Sequence, residues 1–330
     1  MSETFAAYVV RSEGGAFSSG FERLEHSALP VGNVQIEVAY SSVNYKDGLA
    51  ALPKGRVVRS YPMVPGIDIV GTVTSSTDAR FHPGDEVIAT SYDIGTSHFG
   101  GYSEVAALPA DWVVPLPAGL SLRQAAILGT AGFTAALCLD ALERQGLVHD
   151  GGPVLVTGAS GGVGTLATAL LSRAGYQVAA STGKAAAHSL LTDLGAREIL
   201  SREETMAAAS PLSSQRWSGA IDCVGQGTLP YILSTLNYGA AVAACGLTGG
   251  SDLTTTVFPF ILRGCSLLGI DSAYCPMQRR VPIWQRLASD WHLGAALERI
   301  AHEIPFPDLP GALSAIVRGE LSGRTIVRIR

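Results

Sequence analysis

A glycine-rich turn in the middle of the chain has the residue types and spacing of a pyrophosphate-binding loop. It spans residues 157–164 and reads TGASGGVG. Glycines allow a tight turn and let backbone N–H groups approach the phosphates of a dinucleotide at the N-terminus of the following helix. We expect the cofactor to contact Ser160, Gly161, Gly162 and Val163. An ordinary strand-to-helix turn is the alternative, because such glycine patterns also occur in loops that bind nothing.

A second polar cluster, STGK at residues 181–184, follows the next apolar segment. NAD-specific folds usually place Asp or Glu there, where it accepts hydrogen bonds from the ribose hydroxyls. No acid follows this cluster until Asp193, and hydroxyl groups followed by a lysine suit a 2′-phosphate instead. We therefore predict NADPH as the cofactor, bound in part by Ser181, Thr182, Gly183 and Lys184. A solvated lysine beside a turn is the alternative.

These clusters require a sheet that brings them to one edge. Strand-like apolar segments alternate with helical stretches through the second half of the chain, at 153–156, 176–180, 220–225, 240–246 and 266–270. This alternation predicts an α/β fold with a doubly wound parallel sheet, whose ligands bind beyond the carboxyl ends of the strands. The glycine turn directly follows the first of these strands.

The N-terminal part has a different pattern, in which short β-type segments alternate with turns. The segments lie at 34–40, 69–74, 86–89 and 102–107. We expect a smaller β-rich domain at residues 1–122, a nucleotide-binding domain at 123–273 that opens with a helix near 121–143, and a return to the first domain at 274–330. The terminal segment 324–329 reads as a strand, and the sheet of the first domain is expected to include it.

Composition and charge exclude several classes of function. The 330 residues are 47% hydrophobic and 15% charged, which suits two well-filled cores, and a net charge of −5 leaves no basic face for nucleic acid. We expect no membrane span, because no uninterrupted apolar run reaches about 18 residues, and no signal peptide. Five cysteines without a C-x-x-C pair (138, 223, 245, 265 and 275) predict buried free thiols in a reducing cytoplasm.

Several segments in a fixed order resemble the medium-chain dehydrogenase/reductase superfamily. Besides the glycine turn they are NYKD at 44–47, PGIDIVG at 65–71, PGDEV at 83–87 and GGYSE at 100–104. Further segments resemble its quinone-oxidoreductase-like branch, and above all the acryloyl-CoA reductase group: SVNYKD at 42–47, GTAGFTA at 129–135 and TVFPFILR at 256–263. The resemblance extends over essentially the whole chain and implies a GroES-like first domain and a Rossmann nucleotide domain.

The resemblance also bears on metal binding. Zinc-dependent members of the superfamily have Cys, His and Cys at the positions of Asn44, Ile67 and Thr130. An amide, an alkyl group and a hydroxyl cannot form a tetrahedral zinc site, and the four-cysteine structural zinc loop is absent as well. We therefore predict a zinc-independent enzyme. Without a metal to polarise an alcohol, hydride addition to an activated double bond is favoured.

Further site residues follow only from the resemblance. It implies that Arg202 is a second contact of the 2′-phosphate. It implies contacts near the nicotinamide from Tyr45, Thr130, Leu247, Ile261, Ser272 and Arg324. Tyr45 and Asn44 are the implied catalytic residues. Asn44 would position Tyr45 or the substrate carbonyl.

The predicted activity is reduction of the C=C bond of acryloyl-CoA to propanoyl-CoA, with protonation of the α-carbon by water or Tyr45. An NADPH:quinone oxidoreductase of the same fold is the alternative. An NADPH-binding protein without turnover is a third possibility. A short-chain reductase is disfavoured, because the glycine turn comes late and no tyrosine is followed by a lysine four positions on.

Two predictions concern partners. The densest basic segment, 54–59 (KGRVVR), follows Tyr45 by about ten residues and is expected to bind the phosphates of coenzyme A through Arg56 and Arg59. A solvated loop is the alternative. Family members pair through the edge strand of the nucleotide sheet, here 265–270, so a homodimer is expected.

Overall fold

The computed structural model describes residues 4–206 and 210–330, which form two compact units. The first unit comprises the chain up to Thr130 together with Ala273–Ala288 and Ala301–Arg330. The second comprises Ala131–Ser272 and Ser289–Ile300. The predicted return segment 274–330 therefore contributes residues to both units.

Strands and helices follow one another along residues 4–206 and 210–330. The strands are β1 (Thr4–Glu13), β2 (Ala16–Glu25), β3 (Val34–Val43), β4 (Asp68–Ser76), β5 (Glu86–Thr90), β6 (Val105–Leu108), β7 (Val114–Pro115), β8 (Val154–Val156), β9 (Val178–Ser181), β10 (Ala196–Leu200), β11 (Gly219–Asp222), β12 (Ala241–Ala244), β13 (Ser266–Gly269), β14 (Ala301–Pro305) and β15 (Arg324–Arg328). The helices are α1 (Tyr45–Ala50), α2 (Leu122–Arg144), α3 (Gly162–Arg173), α4 (His188–Asp193), α5 (Thr228–Thr235), α6 (Phe258–Arg263), α7 (Met277–Ala288), α8 (Ala296–Ile300) and α9 (Leu309–Val317).

The first unit is built on a mixed sheet with the strand order β14-β15-β3-β4-β5-β7, and β6 pairs with β3. The pairings are antiparallel except for β14 with β15. The C-terminal strand β15 lies beside β3, with Thr325 opposite Val43. The prediction that the terminal strand joins the sheet of the first domain is confirmed.

A separate hairpin of β1 and β2 packs on this unit and was not predicted from the sequence. Its turn consists of Gly14 and Gly15, with φ of 56° and 84°, and two positive φ values are what a type I′ two-residue hairpin turn requires. The Val10 N–H donates to the Met63 carbonyl at 2.8 Å, and Phe5 and Val9 are buried in the core.

The second unit contains a six-stranded sheet, and every pairing in it is parallel. The strand order is β10-β9-β8-β11-β12-β13, which in chain order reads 3-2-1-4-5-6. The winding direction reverses at β8, and dinucleotides bind at this reversal point in doubly wound sheets. The predicted strands and the parallel sheet are confirmed, and the glycine turn leaves β8 at the reversal point.

The long helix α2 bends at Gly129, whose φ of 48° and ψ of −153° are not helical. Although no uninterrupted apolar run was found in the sequence, this helix is long and apolar enough to cross a membrane by length and composition. Of the most apolar 18-residue stretch of α2, 94% is buried inside the protein, as expected for a core helix. The fold therefore uses α2 to fill its interior.

The cysteines form no disulfide among the described residues. Cys138, Cys265 and Cys275 are buried as expected, whereas Cys223 and Cys245 are partly exposed. The Sγ atoms of this last pair lie 3.8 Å apart at the carboxyl ends of β11 and β12. Their proximity depends on strand order and could not be deduced from the sequence.

Candidate functional site

The glycine turn has the backbone geometry that its sequence predicts. Gly158 has a φ of 59°, and Gly161 caps the N-terminus of α3. A Cβ on Gly164 would lie 2.3 Å from the Gly158 carbonyl oxygen, so only glycine lets the helix pack this closely against the turn. The first N–H groups of a helix have no partner within it. This end of α3 therefore fits the pyrophosphate of a dinucleotide.

Hydroxyl groups connect the turn to the end of β9. The Thr182 hydroxyl donates to Ser160 Oγ at 2.8 Å, and the Ser181 and Thr205 hydroxyls lie 2.8 Å apart. The Ala159 N–H donates to the Ser181 carbonyl at 3.0 Å. The hydroxyls therefore hold the two loops together. Cofactor contacts of these residues stay a prediction.

Two cations meet just beyond the ends of β9 and β10. A Cβ on Gly183 would lie 3.3 Å from the Arg202 guanidinium, so Arg202 lies against the glycine backbone. Burial lowers the pKa of Lys184, and the positive charge of Arg202 lowers that pKa further. A phosphate dianion between the two would relieve their repulsion. The structure thus brings together the two residues predicted to contact the 2′-phosphate.

In the first unit, a buried polar network centres on Asp68. Its Oδ1 accepts from the Thr130 N–H at 2.9 Å and from the Thr130 hydroxyl at 2.5 Å. Its Oδ2 accepts from Asn44 Nδ2 at 2.8 Å and from the Ser42 hydroxyl. The Asp68 side chain is fully buried, so these donors replace its hydration.

Arg324 balances the charge of this network. Its Nε donates to the Ile127 carbonyl at 2.8 Å, Nη1 donates to Asn44 Oδ1 at 3.0 Å, and Nη2 donates to Ser42 Oγ at 2.7 Å. Nη2 also lies 3.7 Å from Asp68 Oδ2. Burial lowers the pKa of Arg324, against the opposing effect of Asp68. Arg324 therefore has a structural role, and its contact near the nicotinamide stays a prediction.

A second buried carboxylate, Asp47, belongs to the first turn of α1. It accepts from the Asn44 N–H and from the Ile67 N–H, each at 2.9 Å. Burial, followed by repulsion from Asp68, raises the pKa of Asp47 to about 7. Burial also raises the pKa of Tyr102 well above its usual range, reinforced by Asp47 and Asp68. A titratable carboxyl group therefore accepts a hydrogen bond directly from the backbone of Asn44.

The residues at the three zinc-ligand positions of relatives do not form a zinc site. Asn44 and Thr130 direct their donors to Asp68, while Ile67 offers a buried alkyl side chain and gives its N–H to Asp47. Across residues 4–206 and 210–330, no group of three or more His, Cys, Asp and Glu is arranged to hold a metal ion. The donor set does not fit Zn²⁺, which needs thiolate, imidazole or carboxylate ligands.

The centre of this network was not predicted from the sequence, although its members lie in the motifs PGIDIVG and SVNYKD. Asp68 belongs to PGIDIVG, while Asp47 and Ser42 belong to SVNYKD. The sequence did contain a signal, namely the carboxylate of Asp68 at the start of an otherwise apolar strand. Because an acid is rarely buried without partners, it indicates a buried polar network.

The remaining predicted residues lie in varied surroundings. Tyr45 is 45% exposed at the start of α1, and Leu247 and Ile261 are 65% and 68% exposed. Ser272 accepts a hydrogen bond from the Thr134 hydroxyl at 2.7 Å. Contacts of these residues with a nicotinamide stay predictions.

Comparison with known proteins identifies the family. Residues 30–118 match the alcohol dehydrogenase GroES-like domain, and residues 162–288 match the zinc-binding dehydrogenase family. The chain is 49% identical over 330 residues to the putative quinone oxidoreductase YhfP of Bacillus subtilis (strain 168), which covers 100% of both chains. The chain belongs to the medium-chain dehydrogenase/reductase superfamily. The predicted family, fold class and oxidoreductase class are thereby confirmed.

Other members of this superfamily are similarly close. The acrylyl-CoA reductase AcuI of Ruegeria pomeroyi is 48% identical over 318 residues, 96% of each chain. The yhdH oxidoreductase of Salmonella enterica, solved in complex with NADP, has a TM-score of 0.96 at 49% identity and covers 98% of this chain and 100% of that one. YhfP, solved with NAD bound, has a TM-score of 0.97 at 49% identity and covers 99% of this chain and 100% of its own.

Proposed function

We propose that this protein reduces the C=C bond of acryloyl-CoA with NADPH and a proton, giving propanoyl-CoA and NADP⁺. The observation that carries the proposal is the donor set at residues 44, 67 and 130, because an amide, an alkyl group and a hydroxyl leave no means of polarising an alcohol through a metal. An alkene conjugated to a thioester needs none, since its own carbonyl accepts the charge of the added hydride. The 48% identity to AcuI over nearly the whole chain supports this substrate.

The residues of the chain have three roles in this proposal. The N-terminus of α3 binds the pyrophosphate, and Lys184 with Arg202 binds the 2′-phosphate of NADPH. Bound NADPH supplies the hydride. Asn44 is held by Asp68 and Arg324 and positions Tyr45 or the substrate carbonyl. Tyr45, 45% exposed, or a water molecule protonates the α-carbon of the enolate.

Reduction of quinones is the second candidate, favoured by the 49% identity to YhfP. Quinone reduction uses the same cofactor-binding residues and needs no specific proton donor, because water can protonate the product. An NADPH-binding protein without turnover would retain the nucleotide turn but reduce none of these substrates.

The deciding experiment is NADPH oxidation by the purified protein with acryloyl-CoA, longer enoyl-CoAs, simple enones and quinones, after prolonged EDTA treatment. We expect the highest kcat/KM with acryloyl-CoA and no loss after EDTA. Efficient turnover of quinones with none of acryloyl-CoA assigns the protein to the second candidate. Tight NADPH binding with no turnover of any compound refutes both enzymatic proposals, and one zinc per active chain refutes metal independence.

We infer two further properties from the family and the cysteine pattern. The first is a location in the reducing cytoplasm, which suits the free thiols. Fractionation of the source cells tests this location, and recovery of the protein outside the cytosol would contradict it. Edge strand β13 and the exposed residues Ile261 and Leu262 of the neighbouring helix suit a homodimer.

A further inference from the structure

A cavity of about 260 Å³ within the first unit combines positive charge with aromatic rings. Its lining includes Lys46, Arg56, Arg59, Tyr92 and Tyr274, and none of the residues that line it is acidic. Whole small-molecule pockets usually enclose about 300–1,000 Å³. The cavity is therefore sized for part of a larger ligand rather than for all of it.

The cations of the cavity are unequally neutralised. Arg59 has Asp93 at 3.4 Å, in an exposed pair that contributes little stability. Within the described part of the chain, Lys46 and Arg56 form no ion pair, and both side chains are exposed. On a chain with a net charge of −5, two uncompensated cations beside a third form a local site for an anion.

The aromatic residues of the cavity, Tyr92 and Tyr274, are held in place by ring stacking and by hydrogen bonds from their hydroxyls. Tyr92 stacks on Trp112 with ring centroids 5.5 Å apart, and its hydroxyl donates to the Cys275 carbonyl at 3.2 Å. Tyr274 donates its hydroxyl to Asp93 at 2.8 Å and remains 51% exposed. An ordered ring with an exposed surface offers a stacking surface for a planar base.

The backbone around the cavity is also unusual. Arg56 and Tyr92 have φ values of 56° and 50°, in the left-handed region that residues other than glycine rarely adopt. Such conformations are strained and cluster at ligand-binding positions. Two of them in the lining of one cavity indicate that its shape is under constraint.

We propose that this cavity binds the phosphorylated adenosine of coenzyme A, with the phosphates on Lys46, Arg56 and Arg59 and the adenine against Tyr274. The inference rests on the proposed function and extends it by naming the subsite that recognises the acyl carrier. Lys46 directly follows Tyr45, so the subsite and the proposed proton donor lie on the same helix, α1. Because NADPH also carries a phosphorylated adenosine, the test must separate the two nucleotides.

The test compares acryloyl-CoA with acryloyl-pantetheine, the same thioester without the phosphorylated nucleotide. In Lys46→Gln and Arg56→Gln we expect KM for acryloyl-CoA to rise roughly tenfold, as for loss of one charged hydrogen bond. The kcat/KM for acryloyl-pantetheine and the KM for NADPH should stay within about twofold of wild type, which also shows that the variants fold. Lys54→Gln removes a charge from the same segment but outside the cavity lining, and should change none of these values.

A direct binding measurement completes the design. Calorimetry with adenosine 3′,5′-bisphosphate should detect binding to wild type and to Lys54→Gln but not to Arg56→Gln, with binding weakened by salt. If the cavity variants behave like Lys54→Gln, or if their kcat/KM falls equally for both thioesters, the proposed subsite is refuted. A raised KM for NADPH alone would assign the cavity to the cofactor. Should wild type reduce neither thioester, the proposed function fails and calorimetry alone decides on the subsite.

Discussion

At the scale of single residues, Asp68 explains why Asn44 and Thr130 occupy positions where relatives bind zinc. It accepts from both side chains, and Arg324, with Nη2 3.7 Å from Asp68 Oδ2, compensates its charge. An unpaired buried carboxylate would be strongly destabilising, so the network depends on all of its members. The result is a fixed orientation of Asn44, which caps the helix that carries Tyr45.

The first residue-scale prediction concerns cofactor choice. Replacing Lys184 or Arg202 by Ala should raise KM for NADPH roughly tenfold or more, because each loses a charged contact with the 2′-phosphate. The KM for NADH should change little, since NADH lacks that phosphate. Steady-state kinetics with both cofactors measures the effect. Arg197→Ala, an exposed cation on β10, is the matched control, and equal effects on both cofactors would exclude the assigned role.

The second residue-scale prediction concerns pH. The pKa of Asp47 is about 7 in the folded protein against 3.8 as its ordinary value. Between these values the folded state retains a proton that the unfolded state releases, so stability is lost as pH rises towards 7 and is constant above it. The loss is on the order of 4 kcal/mol, from about three pKa units at about 1.4 kcal/mol each.

Urea unfolding at several pH values from 5 to 8 measures this effect. The wild-type midpoint should fall with pH relative to that of Asp47→Asn, whose side chain stays neutral. Comparing the two proteins cancels the titration of histidines and other shared groups. Parallel midpoints across this range would show that Asp47 does not titrate there.

At the scale of elements, the bend in α2 makes the buried network possible. The positive φ of Gly129 directs the Thr130 N–H to Asp68 rather than along the helix. A Cβ at Gly129 would lie 2.5 Å from Asp68 Oδ2 and 3.0 Å from Arg324 Nη2. Backbone conformation and close approach therefore both require glycine.

We predict that Gly129→Ala lowers stability by about 2–4 kcal/mol, through backbone strain and a clash at a buried ion pair. Denaturant unfolding of the two proteins measures this difference. Gly311→Ala in α9 is the control, because nothing lies within 4 Å of its Cβ, and it should stabilise by up to about 1 kcal/mol. A Gly129→Ala protein as stable as wild type would contradict the assigned role of the bend.

At the scale of the whole molecule, the proposed homodimer follows from an edge strand and an exposed apolar helix. Leu262→Asp places a charge on α6, where the side chain is now 56% exposed, and should convert a dimer of about 69 kDa into a 34 kDa monomer. Light scattering at micromolar concentration measures the mass. Val31→Asp, at a fully exposed position in the first unit, should remain dimeric. A wild-type mass of 34 kDa would rule out the dimer.

The sequence alone determined the parallel sheet and the nucleotide turn and indicated Lys184, because each is encoded locally by strand periodicity, glycine positions or the residues just after a strand. Arg202 was expected only from the family resemblance. The residue types at 44, 67 and 130 are likewise read directly from the sequence, and an amide, an alkyl group and a hydroxyl do not form a tetrahedral zinc site. Tertiary structure decided what those residues do instead. Asp68 meets Thr130 and Arg324 across separations of 62 and 256 positions, and no local pattern predicts such contacts. The same holds for the cavity, since Tyr274 and Arg56 become neighbours only because Ala273–Ala288 folds as part of the first unit.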